Sequence, residues 1–433
     1  MNTKQQKINI ITLGCAKNTV DSEALYGQLL HNDFMLTEKI EEADIAIINT
    51  CGFIDAAKRQ SVETILSAVE RKTSGQLDKV FVMGCLVERY KNDLQKEIPE
   101  IDNFFGTNEL PGILEALGGK YKYELLGERN VSTPKYFSYL KISEGCDNPC
   151  SFCAIPIMRG KHKTKPVEQV MDETMRLVEK GVKELIVIGQ DTTYYGLDLY
   201  GERKLASLLT SLASVKGLEW IRLMYAFPSK FPMDVLQSFS DNPKLCRYID
   251  MPIQHAADNV LKSMRRGITR KTTENLIGSI RTAVPDIALR TTLIVGYPNE
   301  TEADVEELVQ FIKDVKFDRL GVFTYSLEDD TSAFGLGDPI PEQEKERRKE
   351  YVMEVQREIS LEKNESRIGK QTRAVIERIE EGNFVGRSEW DAPEIDNEIF
   401  LPVVSGVHVG DFVNVTITDA TEYDLYGDIL PVQ

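Results

Sequence analysis

The chain reads as an α/β protein in three parts: a parallel α/β domain, a curved parallel sheet or partial barrel of six βα units, and a small antiparallel β-barrel. Three observations predict this. Continuous Ile/Val-rich runs alternate with helical stretches through most of the chain. A Pro/Gly break, "GLGDPIPEQ", then leads into a long charged helix. Beyond Arg367 the pattern changes to short runs of alternating apolar and polar residues. At 433 residues the chain is too long for one compact core, and we place its domains at 1–125, 132–366 and 367–433.

In the first domain an apolar, β-branched run ends in a cysteine three times: "INIITLGC" at Cys15, "DIAIINTC" at Cys51 and "KVFVMGC" at Cys85. The spacings of 36 and 34 residues fit βα units. In a parallel sheet the carboxyl ends of the strands gather along one edge, where open α/β sheets place their sites. Neighbouring strands lie about 4.8 Å apart, so three thiols at such ends can converge. A single cysteine is commonly a small buried hydrophobe; three at equivalent positions argue for a shared task.

The second domain supplies "FSYLKIS", "KELIVIG", "EWIRLMYAF", "YIDMPIQ", "IALRTTLIVGYP" and "RLGVFTYSLE" as strands, separated by helical patterns such as "VEQVMDETMRLVEKG". Right-handed crossovers between them imply chemistry at the carboxyl ends. Directly after the first strand, "EGCDNPCSFCAIP" packs Cys146, Cys150 and Cys153 into eight positions. The helix "KERRKEYVMEVQREISLEKN" reads as a solvated connector. The closing barrel is expected from "TRAVIERIE", "NFVGRSE", "EIFLPV", "DFVNVTITDAT" and "YDLYGDIL".

Composition narrows the function. A formal net charge of −17 argues against a broad electrostatic grip on nucleic acid and favours a basic partner. The amino-terminal apolar run is short, and no later stretch approaches the roughly 20 apolar residues that span a bilayer, so a cytoplasmic protein is expected. In such a compartment, seven cysteines suggest metal or redox work rather than disulfides.

Two chemistries compete for the CxxxCxxC loop. Structural zinc wants four ligands, and the fourth would have to come from His162 or Cys246. Three thiolates can instead hold three irons of a four-iron, four-sulfur cluster and leave one iron open to a small molecule.

That spacing is similar to the hallmark of radical S-adenosylmethionine (SAM) enzymes, and Phe152 before the last cysteine fits them. The whole chain resembles the methylthiotransferases of this class. The matching stretches are "TLGCAKN", "INTCGFI", "VMGCLVERY", "SEGCDNPCSFCAIP", "YIDMPIQHAADNVLKSMRRG" and "RTTLIVGYPNET". The resemblance implies a flavodoxin-like front domain, a radical SAM partial (βα)6 barrel and a TRAM-like terminal barrel.

It further implies two four-iron four-sulfur clusters, an auxiliary one on Cys15, Cys51 and Cys85 and a SAM-binding one on Cys146, Cys150 and Cys153. An electron entering the sulfonium of SAM would release a deoxyadenosyl radical able to take hydrogen from an unactivated carbon. "IGQD" stands where the class often has Gly-Gly-Glu, so Gly189 and Gln190 are expected at the methionine part of SAM. Gln254, Arg290 and Gly296, at or near other strand ends, complete the expected cofactor contacts. Cys246 and His255 are expected to be structural.

For the substrate, the segment from Arg367 to Gln433 holds five basic and thirteen acidic residues, a net of −8 that should repel phosphate. Its tail "EYDLYGDIL" resembles the branch acting on an aspartate of the basic small-subunit ribosomal protein S-twelve. The implied reaction replaces a β-carbon hydrogen with a methylthio group. It would draw on a sulfur source and on an electron donor such as flavodoxin or ferredoxin, with no membrane involved. A tRNA adenosine methylthiotransferase and a non-catalytic iron–sulfur or zinc scaffold are the alternatives.

Overall fold

The structure, a computed structural model, describes residues 6–125 and 127–431. In the front domain β1 (Lys7–Thr12), β2 (Met35–Leu36), β3 (Ile45–Thr50), β4 (Lys79–Gly84) and β5 (Asn103–Phe105) form a parallel sheet in the order β2-β1-β3-β4-β5. This is the flavodoxin-like order, whose switch point lies between β1 and β3. β3 is buried at all six positions, which is why its apolar run does not alternate. The helix α1 (Ala16–Leu30) covers one face, and α2 (Asp55–Thr73) and α3 (Cys85–Glu97) cover the other. β2 and β5 are absent from the sequence reading, because runs of two and three residues carry no measurable periodicity.

The second sheet is built from β6 (Phe137–Lys141), then, beyond a small antiparallel pair β7 (Ser143–Glu144) and β8 (Lys163–Thr164), from β9 (Glu184–Ile188), β10 (Trp220–Leu223), β11 (Leu245–Asp250), β12 (Ala288–Val295) and β13 (Arg319–Thr324). All six long strands are parallel, in the order β13-β12-β11-β10-β9-β6, and the sheet stays open between β6 and β13. The expected six strands are present. β11 starts earlier than the run "YIDMPIQ" suggested, and the end of that run leaves the strand.

Alternation sorts the side chains. Leu140, Leu185, Ile221, Ile249 and Leu289 face the helices, while Tyr139, Ile186, Trp220 and Tyr248 share the opposite, inward cluster.

The terminal strands β14 (Gln371–Glu380), β15 (Asn383–Ser388), β16 (Glu398–Pro402), β17 (Phe412–Ala420) and β18 (Asp424–Ile429) close a barrel in the order β14-β15-β16-β18-β17. Four pairings are antiparallel, but β16 and β18 run parallel, with Ile399 opposite Leu425. A closed ring with an odd number of strands cannot alternate direction all the way round, so one parallel pair is forced.

This barrel does more than follow the second domain. The segment 389–397 between β15 and β16 enters the inward face of the open sheet, where Trp390 and Ala392 pack with Tyr139, Ile186 and Tyr248. Glu184 at the start of β9 is fully buried between Arg222 and Arg387 of the barrel. Arg319, which opens β13, pairs with Asp391.

At the other end the front domain bridges the two free edges of the sheet. Asp21 and Glu23 of α1 meet Lys141 and Arg129 near β6, and Lys58 and Arg89 meet Glu328 just past β13. No helix among the described residues is long and apolar enough to cross a membrane.

Burial opposes the charge of Glu184, but Arg387 and Arg222 outweigh it and hold the carboxyl below its ordinary 4.5. Removing it strands two buried cations, so Glu184→Ala should cost about 3–5 kcal/mol in denaturant unfolding. The stability that Glu184 confers is present above pH 4.5 and lost as pH falls through its folded value. Wild type and Glu184→Gln should therefore converge in stability on acidification.

Candidate functional site

The three front-domain cysteines leave neighbouring strands at the same edge. Cys15 stands at the amino end of α1 after β1, Cys51 follows β3 directly, and Cys85 opens α3 after β4. Gly14 adopts φ +93°, and a Cβ there would lie 2.7 Å from the Cβ of Cys51. Only glycine permits both that turn and that approach. Asn18 fixes the two strand ends together, its Nδ2 donating to Leu13 O (2.7 Å) and Thr50 O (3.1 Å). The three thiols lie within electrostatic reach of one another. Burial pushes Cys51 up and Cys85 up to about 12, with Arg159 opposing the rise at both.

The Cys146 loop is braced on several sides. The Cys146 N–H donates to Gly160 O (3.1 Å), and Asn148 Nδ2 donates to Asp191 Oδ2 (2.8 Å). Ser151 donates through its N–H to Met264 O (3.0 Å) and through its hydroxyl to Ser263 O (2.8 Å). Arg266 Nη1 lies 3.2 Å from Cys150 Sγ, with the guanidinium stacked 4.2 Å over the Phe227 ring. Burial raises Cys146 to about 11 and Cys153 to about 12. Thiols so held bind metal only once a cation draws off their protons.

The two sulfur sets share a wall. Cys85 packs against Ala154 and Met158, which belong to the turn and short helix immediately after Cys153. Thr107 Oγ1 donates to Met158 O (2.9 Å) from the front-domain side. Arg159, on the same short helix, reaches Asp21 Oδ2 (2.6 Å) and Glu144 Oε2 (3.2 Å). Burial works against the charge of Glu144, yet Lys141 and Arg159 keep its carboxyl well below the usual range.

Do these residues fit an iron–sulfur cluster and SAM? Among the described residues no three Cys, His, Asp or Glu side chains close on a point as around one ion. A four-iron cube instead spreads its thiolates over separate corners. The two candidates for a fourth zinc ligand are engaged elsewhere. His162 Nε2 lies 3.3 Å from Thr164 Oγ1, and Cys246 is buried in β11 beside Trp220 and Tyr248. Around the carboxyl ends of the strands, Ser143 Oγ, Gln190 Oε1 and Gln254 Oε1 are buried without a hydrogen-bond partner. Such orphaned acceptors suit a ligand rich in ammonium, amino and hydroxyl donors, as SAM is.

The remaining expected contacts fall out unequally. Gly189 follows β9, and a Cβ there would meet Ser143 Oγ at 2.7 Å. Gln190 Nε2 donates to Glu144 Oε1 (2.6 Å). Gln254 takes φ +78° and bridges to β12 through Thr292 O and the Ile294 N–H.

Arg290, expected at or near a strand end, lies toward the amino end of β12. β12 is eight residues long and Arg290 is its third, drawn inward to Asp250 Oδ1 (3.1 Å) and Asp396 Oδ1 (3.2 Å) of the terminal barrel. Gly296 lies against the connecting helix, where a Cβ would be 2.4 Å from Lys345 Cγ, so packing explains the glycine. His255 is buried, accepting from the Ala257 N–H at Nδ1 (3.0 Å), with Nε2 3.3 Å from Glu300 Oε2.

Arg266, Glu144 and Asn18 went unnoticed in the sequence. All three lie inside the motifs "SMRRG", "SEGCDNPCSFCAIP" and "TLGCAKN", but only the fold brings Arg266 and Asn18 to sulfur and Glu144 to Lys141 and Arg159.

Comparison with known proteins agrees with this layout. Residues 7–106 match the uncharacterized protein family UPF0004, 140–312 the radical SAM superfamily and 368–430 the TRAM domain. The chain is 54% identical to the ribosomal protein uS12 methylthiotransferase RimO of Christiangramia forsetii, over 99% of this chain and 95% of that one. It is 54% identical to the protein of the same name from Flavobacterium johnsoniae, covering 98% of each. Among solved structures, the radical S-adenosylmethionine methyltransferase TsrM from Kitasatospora setae shares the fold. It has a TM-score of 0.55 at 14% identity, covering 75% of this chain and 73% of that one.

Exposure and thiol acidity set an order of reactivity in the metal-free protein. Cys15 is exposed, whereas Cys85, Cys153 and Cys246 carry thiols raised to about 12 by burial. Alkylation at neutral pH, followed by peptide mass spectrometry, should label Cys15 first and those three last.

Proposed function

The chain belongs to the ribosomal protein uS12 methylthiotransferases, radical SAM enzymes that end in a TRAM domain, and on that premise we propose that it installs a methylthio group on the β-carbon of a uS12 aspartate. As a radical SAM enzyme it works with a four-iron four-sulfur cluster and SAM. In our reading Cys146, Cys150 and Cys153 hold that cluster, and Cys15, Cys51 and Cys85 hold a second one that passes sulfur. When bound, the cluster and SAM supply a carbon-centred radical that takes hydrogen from an unactivated carbon.

The protein's own part is binding, orientation and exclusion of water. Gln190 and Gln254 offer their free carbonyl oxygens to the donors of SAM, and Gly189 leaves room beside Ser143. Arg266 sets a positive charge against Cys150. The single observation that carries the reading is the packing of Cys85 on Ala154, the neighbour of Cys153. It supports a reading in which the site that delivers sulfur and the site that forms the radical share one wall.

Charge favours a protein substrate. All five basic residues of the terminal barrel are already ion-paired: Arg367 with Asp318, Lys370 with Asp286, Arg373 with Glu219, Arg378 with Glu398, and Arg387 with Glu184. Exposed Asp419 and Asp428 remain, near exposed Tyr423 and Tyr426. Such a surface attracts a basic ribosomal protein and repels RNA phosphate. A sulfur source and an electron donor such as flavodoxin or ferredoxin complete the reaction.

The test is an anaerobic reaction of cluster-loaded enzyme with SAM, reductant, sulfide and purified uS12, read by mass spectrometry. One aspartate should gain a methylthio group in place of hydrogen. Cys153→Ala should abolish SAM cleavage, and Cys51→Ala should cleave SAM without giving the product. Modification of tRNA with uS12 untouched would overturn the substrate.

A further inference from the structure

We propose that Lys17 selects the substrate by receiving the carboxylate of the target aspartate, an inference that rests on the uS12 reading above. Lys17 lies in the first turn of α1, two residues after Cys15, and is 7% exposed. Its Nζ sits over the ring of Tyr225, 2.9 Å from the centroid. Ala16 and Val20 of the same turn pack in a cluster with Tyr225, Ile188 and Met224, at the carboxyl ends of β9 and β10. The ammonium thus stands where the front domain covers the mouth of the open sheet, two residues from the first cysteine of one set and over the ends of β9 and β10, in the sheet whose first strand, β6, leads into the loop of the other.

Tyr225 is a fixed platform. Its backbone takes φ +59°, a conformation that costs a bulky residue energy and persists only when its surroundings impose it. Here the Tyr225 N–H donates to Asp250 Oδ2 (3.1 Å), and its carbonyl accepts from the Thr192 N–H (3.1 Å) and hydroxyl (3.2 Å).

Buried cations are normally matched by anions, and the neighbours of Lys17 obey that rule. Lys141 and Arg159 share Asp21 and Glu144, Arg129 holds Glu23 and Glu173, and Arg290 holds Asp250 and Asp396. Among the described residues, the Lys17 ammonium has the Tyr225 ring as its partner and no carboxylate. An aromatic face satisfies part of a cation's demand but takes none of its three N–H donors in a directed bond. A carboxylate arriving from outside would complete the site. In aspartate the β-carbon is bonded directly to the carboxylate carbon, so anchoring the latter also points the former. An adenine ring offers no such group, which makes Lys17 a discriminator between protein and RNA targets.

The test measures affinity of SAM-loaded holoenzyme for two synthetic peptides of the uS12 target loop, one with the natural aspartate and one with asparagine in its place. Wild type should prefer the aspartate peptide by about tenfold or more, the range for a charge-assisted hydrogen bond. Lys17→Met should bind both equally, Lys17→Arg should keep part of the preference, and both variants should retain wild-type iron content. A preference undiminished in Lys17→Met would overturn the proposal. So would iron lost from both variants, which would make the lysine a structural support. Wild-type enzyme that neither binds nor modifies the aspartate peptide would overturn the uS12 reading together with this inference.

Discussion

The arrangement depends on one constraint: the front domain must stay seated across the two free edges of an open sheet. At the β6 edge the seat is the chain Asp21, Lys141, Glu144 and Arg159, and at the β13 edge it is Glu328 with Lys58 and Arg89. The side chains of Arg89 and Glu328 are 1% and 3% exposed, so water contributes little to their solvation. Buried pairs of this kind add little net stability, because desolvation offsets attraction, but they penalise any other docking geometry heavily. Position, rather than strength, is what these charges supply. Without it the Cys85 and Cys153 neighbourhoods would not meet.

The terminal barrel solves a second problem, at the opposite end of the same sheet. A six-stranded sheet that does not close leaves its inward face without a floor, and segment 389–397 provides one through Trp390, Asp391 and Asp396. This use consumes Arg387 and Arg367 internally. It also buries Asp391 and Asp396 against Arg319 and Arg290, so the outer face that remains keeps the net acidity of the segment. Core completion and substrate attraction come from one small domain.

The grouping of six cysteines in two sets was legible in the sequence because it depends on residue type and local spacing, and each set ends a strand or lies in one loop. The long parallel strands were legible because burial on both faces leaves unbroken apolar runs, as in β3. What stayed hidden depends on long-range pairing. Arg290 reads as a strand-end residue until Asp396, from another domain, is seen to hold it. The parallel pairing of β16 with β18 follows from ring closure, which no local pattern encodes. Lys17 looks like any helix lysine in the sequence; only the fold brings Tyr225 to it and, among the described residues, no acid.

The contact between Cys85 and Ala154 also has a temporal side. Once the domains are seated, Cys85 is 6% exposed and is covered by Ala154 and Met158 of the loop helix. Any reagent that must reach the Cys85 thiol meets it most openly before that docking is complete. Chemistry at Cys85 is thus favoured in a set order, ahead of the settling of the front domain onto the loop helix.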